Sequence, residues 1–132
     1  MQLSPVCILV VDDFEPWRRF VSSLLRTILE LQVAGEASDG LEAVQKAVEL
    51  KPDLILLDIA LPTLNGIEAA RQIRKLVPES KIIFLSQESS ADVVQAALSV
   101  GAWGYVVKAN AGRELPAAVE TVISGMKFVR TT

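Results

Sequence analysis

The chain has 132 residues, room for one ordinary domain, and its 51% apolar against 22% charged content excludes a disordered chain. A net charge of −3 without a basic cluster gives no footprint for nucleic acid, and the apolar runs are too short to span a membrane. Histidine is absent, which excludes Ser-His-Asp and Cys-His nucleophile pairs and His-based zinc sites, so any metal here is hard and oxygen-bound.

The first predicted strand covers about Cys7 to Val11 and stops at Asp12-Asp13. A helix opens near Glu15-Pro16, proline being tolerated in a first turn, and Trp17, Phe20, Val21, Leu24, Leu25 and Ile28 form its apolar stripe. A second strand near Gln32 to Ala37 precedes Asp39 and Glu42, spaced as a capping box, and the following helix runs to about Leu50 before Pro52. Leu54 to Asp58 is the third strand. Asn65 and Glu68 form another cap pair for a helix through Ile67, Ala70, Ile73 and Val77. Lys81 to Ser86 is the fourth strand, followed by a helix carrying Val93, Val94, Ala97 and Leu98 that ends near Gly101. Gly104 to Lys108 is the fifth. A last helix buries Leu115, Val119, Val122, Ile123 and Met126 and ends about Gly125. This β-α alternation predicts a doubly wound parallel sheet with helices on both faces, in one domain over 1–132. Cys7 lies in a strand and has no intramolecular partner, and the MQLSP start lacks the charged and apolar regions of a signal peptide, so a cytoplasmic setting is expected.

Four of these strands end at residues able to do chemistry: Asp12-Asp13, Asp58, Ser86 and Lys108. In an open parallel sheet the functional crevice lies at the carboxyl ends of the strands. Taken singly, each residue has an ordinary explanation as a helix cap, a turn carboxylate, a local hydrogen-bonder or a solvated lysine. Their joint placement on one edge is what predicts a site. Two carboxylates about 4 Å apart repel by roughly 4 kcal/mol at an effective dielectric of about 20, so three together call for raised pKa values or a cation. With neither histidine nor a cysteine cluster, magnesium is the natural ion, and it prepares a site for phosphoryl transfer. Asp58, alone at its strand end, suits an in-line nucleophile; Asp12 and Asp13 suit metal ligation. The Lys108 ammonium and the Ser86 hydroxyl can each meet a phosphoryl oxygen.

These residues, in the segments VVDD, LLDIALP, Asn65-Gly66, FLS and GAWGYVVK, resemble the receiver domain of bacterial two-component response regulators across nearly the whole chain. The resemblance implies a flavodoxin-like (CheY-like) fold with five strands ordered 2-1-3-4-5. It also implies that Asp58 accepts a phosphoryl group from a phosphohistidine on a sensor histidine kinase. Asp13, Asp58 and the carbonyl of Ala60 would bind Mg2+, with Asp12 acting largely through water. Ser86 and Tyr105 look like the switch pair: Tyr105 would turn inward as Ser86 is drawn to the phosphoryl group, and the face of the fourth and fifth helices and fifth strand would change partners. Three departures from the family pattern involve four positions. Ala109 stands where many receivers have proline after a cis bond; that bond costs roughly 3 kcal/mol before a non-proline residue, so a trans bond and an altered loop are expected. Gln87 occupies a place usually held by a small residue and is expected to crowd the phosphoryl path. Ala60 and Glu88 stand where the family tunes phosphoryl lifetime.

The run Lys108-Ala109-Asn110-Ala111 and the closing GMKFV are similar to the NarL/FixJ subfamily, whose members usually continue into a DNA-binding helix-turn-helix. The sequence is therefore expected to be the receiver part of a transcriptional regulator, with a stand-alone receiver as the alternative. Phosphorylation-dependent homodimerisation is a further expectation. A degenerate receiver is disfavoured by the complete acidic, hydroxyl and lysine set. A small magnesium-dependent phosphatase is disfavoured by Ala60, which stands where hydrolases with an aspartyl-phosphate intermediate carry a second Asp, and a nucleotide-binding module by the lack of a Gly-rich loop. The chain is thus expected to catalyse only its own phosphorylation and dephosphorylation, and not to be a turnover enzyme.

Overall fold

Residues 5–28 and 30–129 are described by the computed structural model. The strands are β1 (Val6–Val11), β2 (Leu31–Ala37), β3 (Leu54–Leu57), β4 (Lys81–Ser86), β5 (Gly104–Val107) and β6 (Phe128–Val129), and the helices are α1 (Glu15–Arg26), α2 (Gly40–Leu50), α3 (Gly66–Leu76), α4 (Ala91–Ser99) and α5 (Ala111–Ile123). All strand pairs are parallel, in the order β2-β1-β3-β4-β5-β6.

The inner strands read as apolar runs because both faces of the sheet are covered, whereas the edge strand β2 alternates half-buried and exposed residues. Leu9, Val11, Ile55, Leu57, Ile82 and Phe84 pack with Ala43 and Ala47 of α2, Ala70 and Ile73 of α3 and Ala97 of α4. Their neighbours Ile8, Val10, Leu54, Leu56, Ile83 and Leu85 pack on the other face with Val21 and Leu25 of α1 and Leu115, Val119 and Val122 of α5. Each fully buried Leu, Ile, Val or Phe contributes about 1.5–3 kcal/mol by leaving water, so these two layers fix the strand register. Of the helices, α4 is held least firmly, with only Ala97 buried among its residues.

The expected five-stranded sheet carries a sixth strand. After Gly125, which has a φ of 96° open to glycine, the chain turns back and Phe128 and Val129 pair with Gly104 and Tyr105. The Phe128 amide donates to the Trp103 carbonyl at 2.9 Å. The outer edge of β5 would otherwise leave its backbone groups unpaired. A strand of two residues has no periodicity to read. The helical stripes are also narrower than expected: Phe20 is 42% exposed, Ile123 38% and Met126, beyond the end of α5, 65%.

Helix starts follow the expected chemistry with one shift. Asp39 and Asn65 accept the amides of Glu42 and Glu68 at 2.8 and 2.9 Å. The return bond from Glu42 goes to the amide of Ser38, one residue before the cap, at 2.7 Å. The backbone has no cis bond among the described residues, so Lys108–Ala109 is trans, and Lys108–Asn110 forms a short 3-10 turn leading directly into α5.

Candidate functional site

Strand register brings the chemical residues together. Val11 pairs with Leu57, so Asp12 and Asp58 leave the sheet side by side; Ser86 pairs with Val107, so Lys108 emerges next to them. The three carboxylates of Asp12, Asp13 and Asp58 offer oxygens that all lie within 4.8 Å of one another. They open on a cleft of about 630 Å³, whose walls also include Ala60, Gln87 and Lys108.

Asp58 is 5% exposed. One of its carboxylate oxygens accepts the Ile59 amide at 2.8 Å, and the other faces the Lys108 ammonium at 3.3 Å. Burial raises its pKa; Lys108 opposes that shift and the Asp12 charge adds to it. Lys108 reaches closer to Asp12, at 2.6 Å, so one ammonium is shared by two buried carboxylates. Asp12 spends its second oxygen on the Phe14 amide at 2.9 Å, which fixes the turn into α1. Asp13 is exposed, and among the described residues its carboxylate meets no hydrogen-bond or ion-pair partner. The Ala60 carbonyl is likewise free of hydrogen bonds among the described residues, and Ala60 lines the cleft. Hard oxygen donors with nothing else to bind suit magnesium and not a soft metal.

Gly66 explains how the loop after Asp58 closes. A Cβ at Gly66 would stand 1.9 Å from the Asp58 carbonyl oxygen, and the Gly66 amide donates to the Ile59 carbonyl at 2.7 Å. Only glycine lets α3 begin so close to the backbone of Asp58.

Ser86 and Tyr105 lie just beyond the cleft. Ser86 is 1% exposed, and its hydroxyl accepts the Glu88 amide at 3.1 Å. Tyr105 is buried, and its hydroxyl donates to the Glu88 carbonyl at 2.7 Å. Burial pushes its pKa up, with the Ser86 hydrogen bond acting the other way. Tyr105 thus occupies the inward position that was expected to follow phosphorylation. The Glu88 backbone joins both side chains through the loop that leads to α4.

Sequence reasoning missed two residues around this site. Arg18 donates to the Asp12 carbonyl at 2.7 Å and pairs with Glu36 at 2.7 Å, tying the acidic turn to β2. Trp17, assigned to the apolar stripe of α1, packs against that core layer as expected and also lines the cleft. Both stand in the first helical turn after the Asp pair, and that proximity was the available signal.

A match to the family described as response regulator receiver domain runs over residues 8–120. The chain belongs to this family. The receiver is 38% identical over 118 residues to the response regulator protein VraR of Staphylococcus aureus (strain Mu50 / ATCC 700699), covering 89% of this chain and 56% of the relative. It therefore spans about half the length of the curated relatives it matches. Among solved structures, a LuxR-family two-component response regulator from Aurantimonas sp. SI85-9A1 superposes with a TM-score of 0.90 at 31% identity, covering 95% of this chain and 89% of that one. The signal receiver domain of the putative response regulator NarL from Mycobacterium tuberculosis gives 0.87 at 28% identity, with 93% and 99% covered. The flavodoxin-like architecture and the NarL-type affinity of the receiver are in keeping with these relatives.

Proposed function

We propose that this receiver is a phosphorylation-activated switch in which Asp58 takes a phosphoryl group from a phosphohistidine of a sensor histidine kinase. The observation that carries the proposal is a buried carboxylate at a strand end, in contact with an ammonium and facing further carboxylates across an open cleft. In the transfer, an Asp58 carboxylate oxygen forms a bond to phosphorus, and the phosphorus–nitrogen bond to the donor breaks. The electron pair of that bond returns to the histidine ring. Lys108 then passes from the Asp58 carboxylate to a phosphoryl oxygen, keeping its hold on Asp12. Asp13, Asp58 and the Ala60 carbonyl would hold magnesium, with Asp12 acting through water, and the bound ion would neutralise charge gathered on carboxylate and phosphoryl oxygens. Gln87 stands at the cleft wall, where its side chain narrows the path of the donor.

The response leaves the site through Ser86. A phosphoryl group competing for the Ser86 hydroxyl draws it from the Glu88 amide, and the loop that also holds Tyr105 shifts with it. The lightly anchored α4 then changes its pose, and the face of α4, β5 and α5 exchanges partners. The receiver turns over no other substrate. It works in the cytoplasm, and no helix among the described residues is long and apolar enough to cross a membrane. Its output is transcriptional, through a DNA-binding domain of the longer regulator, with phosphorylation favouring a homodimer. With a net charge of −3 the receiver itself makes no contact with DNA.

Intact mass after incubation with acetyl phosphate and magnesium, beside Asp58→Asn, tests the acceptor. One labile phosphoryl group that needs magnesium and is absent from the variant is the expected result. Equal labelling of both proteins, or none with beryllofluoride also failing to bind, would overturn it.

A further inference from the structure

The transfer just described leaves one wall of the cleft without a task. Trp17, in the first turn of α1, is half-buried and lines the cleft beside the acidic residues. The Lys108 ammonium lies 5.2 Å from the centroid of its ring. The indole is held in place by Phe20, whose ring centroid is 5.1 Å away at a tilt of 41°. Lys108 itself is 14% exposed, so its attraction to the ring is only partly screened by water.

Lys108 faces a problem during the transfer. Its tightest contact is with Asp12, at 2.6 Å, and its contact with Asp58 is longer, at 3.3 Å. When the Asp58 oxygen bonds to phosphorus, the charge that drew the ammonium toward Asp58 moves out onto the phosphoryl oxygens. An ammonium anchored by Asp12 alone would be free to swing away from them on its flexible stem. An extra carboxylate at position 17 would hold it but would repel an anionic donor. An aliphatic side chain would do neither. The face of an indole attracts the cation and carries no net charge, and tryptophan is the strongest of the aromatic partners.

We propose that Trp17 is a positioning residue for phosphoryl transfer, its ring holding the Lys108 ammonium over the cleft while that ammonium exchanges Asp58 for the phosphoryl group. This deepens the reading of Asp58 as acceptor and rests on it. Trp103 provides an internal comparison, since Lys81 and Lys127 approach its ring at 4.4 and 5.9 Å near the end of the sheet away from the acidic cluster. There the same contact has no reacting group to serve.

The protein has two tryptophans, so Trp103→Phe leaves Trp17 as the sole indole emitter and serves as the parent. Phosphorylation by acetyl phosphate with magnesium is then timed by mass in the parent, in Trp17→Leu, in Trp17→Phe, and in Lys108→Met with and without Trp17→Leu. Trp17→Leu is expected to slow labelling about three- to tenfold, and Trp17→Phe to recover much of the loss. In the Lys108→Met background the leucine change is expected to add nothing. In metal-free parent protein, Lys108→Met is expected to change the intensity of Trp17 emission. Labelling of Trp17→Leu within about twofold of the parent, equal extra slowing in the Lys108→Met background, or an emission unmoved by Lys108→Met would each overturn the role of Trp17. A parent that takes no phosphoryl group at all would instead overturn the acceptor reading, and this role with it.

Discussion

The middle of the sheet and its carboxyl edge are equally enclosed but chemically opposed. Ile55 and Phe84 are 0% exposed among aliphatic and aromatic neighbours, while Asp12 and Asp58, one residue past the ends of β1 and β3, are carboxyl groups 2% and 5% exposed. In the middle, burial and stability point the same way, since each apolar side chain gains by leaving water. At the edge they point apart. At Asp58 the loss of water outweighs the Lys108 ammonium at 3.3 Å, which Asp12 shares at 2.6 Å, and the Asp58 pKa is raised. Under the proposed function the edge receives a cation and a phosphoryl group, and the middle supplies the rigidity that holds it in place.

Breaking the middle gives the largest effect. Phe84→Ala is expected to cost about 4 kcal/mol in urea denaturation, because the ring is fully enclosed between β4 and the helices beyond it. Gly66→Ala strikes where the regions meet. Its Cβ would sit 1.9 Å from a backbone oxygen that cannot move cheaply, so about 2–3 kcal/mol is lost and phosphoryl uptake by Asp58 falls with it.

Charge removal should act in the opposite direction. The folded pKa of Asp58 lies above its unfolded value, so the folded state binds more protons and stability falls as pH rises from about 4 upward. Asp58→Asn removes that penalty. The variant's stability relative to wild type is therefore expected to grow as pH rises above about 4, measured by urea midpoints in EDTA. Parallel curves at all pH values would contradict the assignment of burial as the dominant cause. A smaller effect belongs to the cap of α2: Asp39→Ala removes the acceptor for the Glu42 amide at 2.8 Å and is expected to cost about 1 kcal/mol. The exposed Arg71–Glu68 pair, at 2.7 Å, should contribute only about 0.3 kcal/mol in a double-mutant cycle.

The sequence was legible where buried parallel strands end. Runs such as LILL are apolar on both faces, so the first polar residue after each one marks the edge, and Asp12, Asp58 and Lys108 were found that way. Strand order then brought them together, and here the family resemblance supplied what periodicity lacks. The short β6 escaped notice because two residues, Phe128 and Val129, show no alternation. Trp17 was read as core and does pack there, but its place in the first turn of α1 also brings it to the cleft, which the helical stripe alone does not reveal. The direction of the Ser86 hydroxyl, toward the Glu88 amide, depends on a loop conformation that no spacing encodes.

The central claim, that the carboxyl edge is a cation site kept at a cost to the bare protein, is tested most directly by urea stability with and without magnesium in wild type and Asp13→Asn. Asp13 is exposed, so its loss leaves the core untouched. Wild type should gain stability as magnesium rises, by about 2.7 kcal/mol at one hundred times the dissociation constant, while metal-free Asp13→Asn is no less stable than metal-free wild type and gains little from the ion. Equal gains in the two proteins, or none in wild type, would contradict the account.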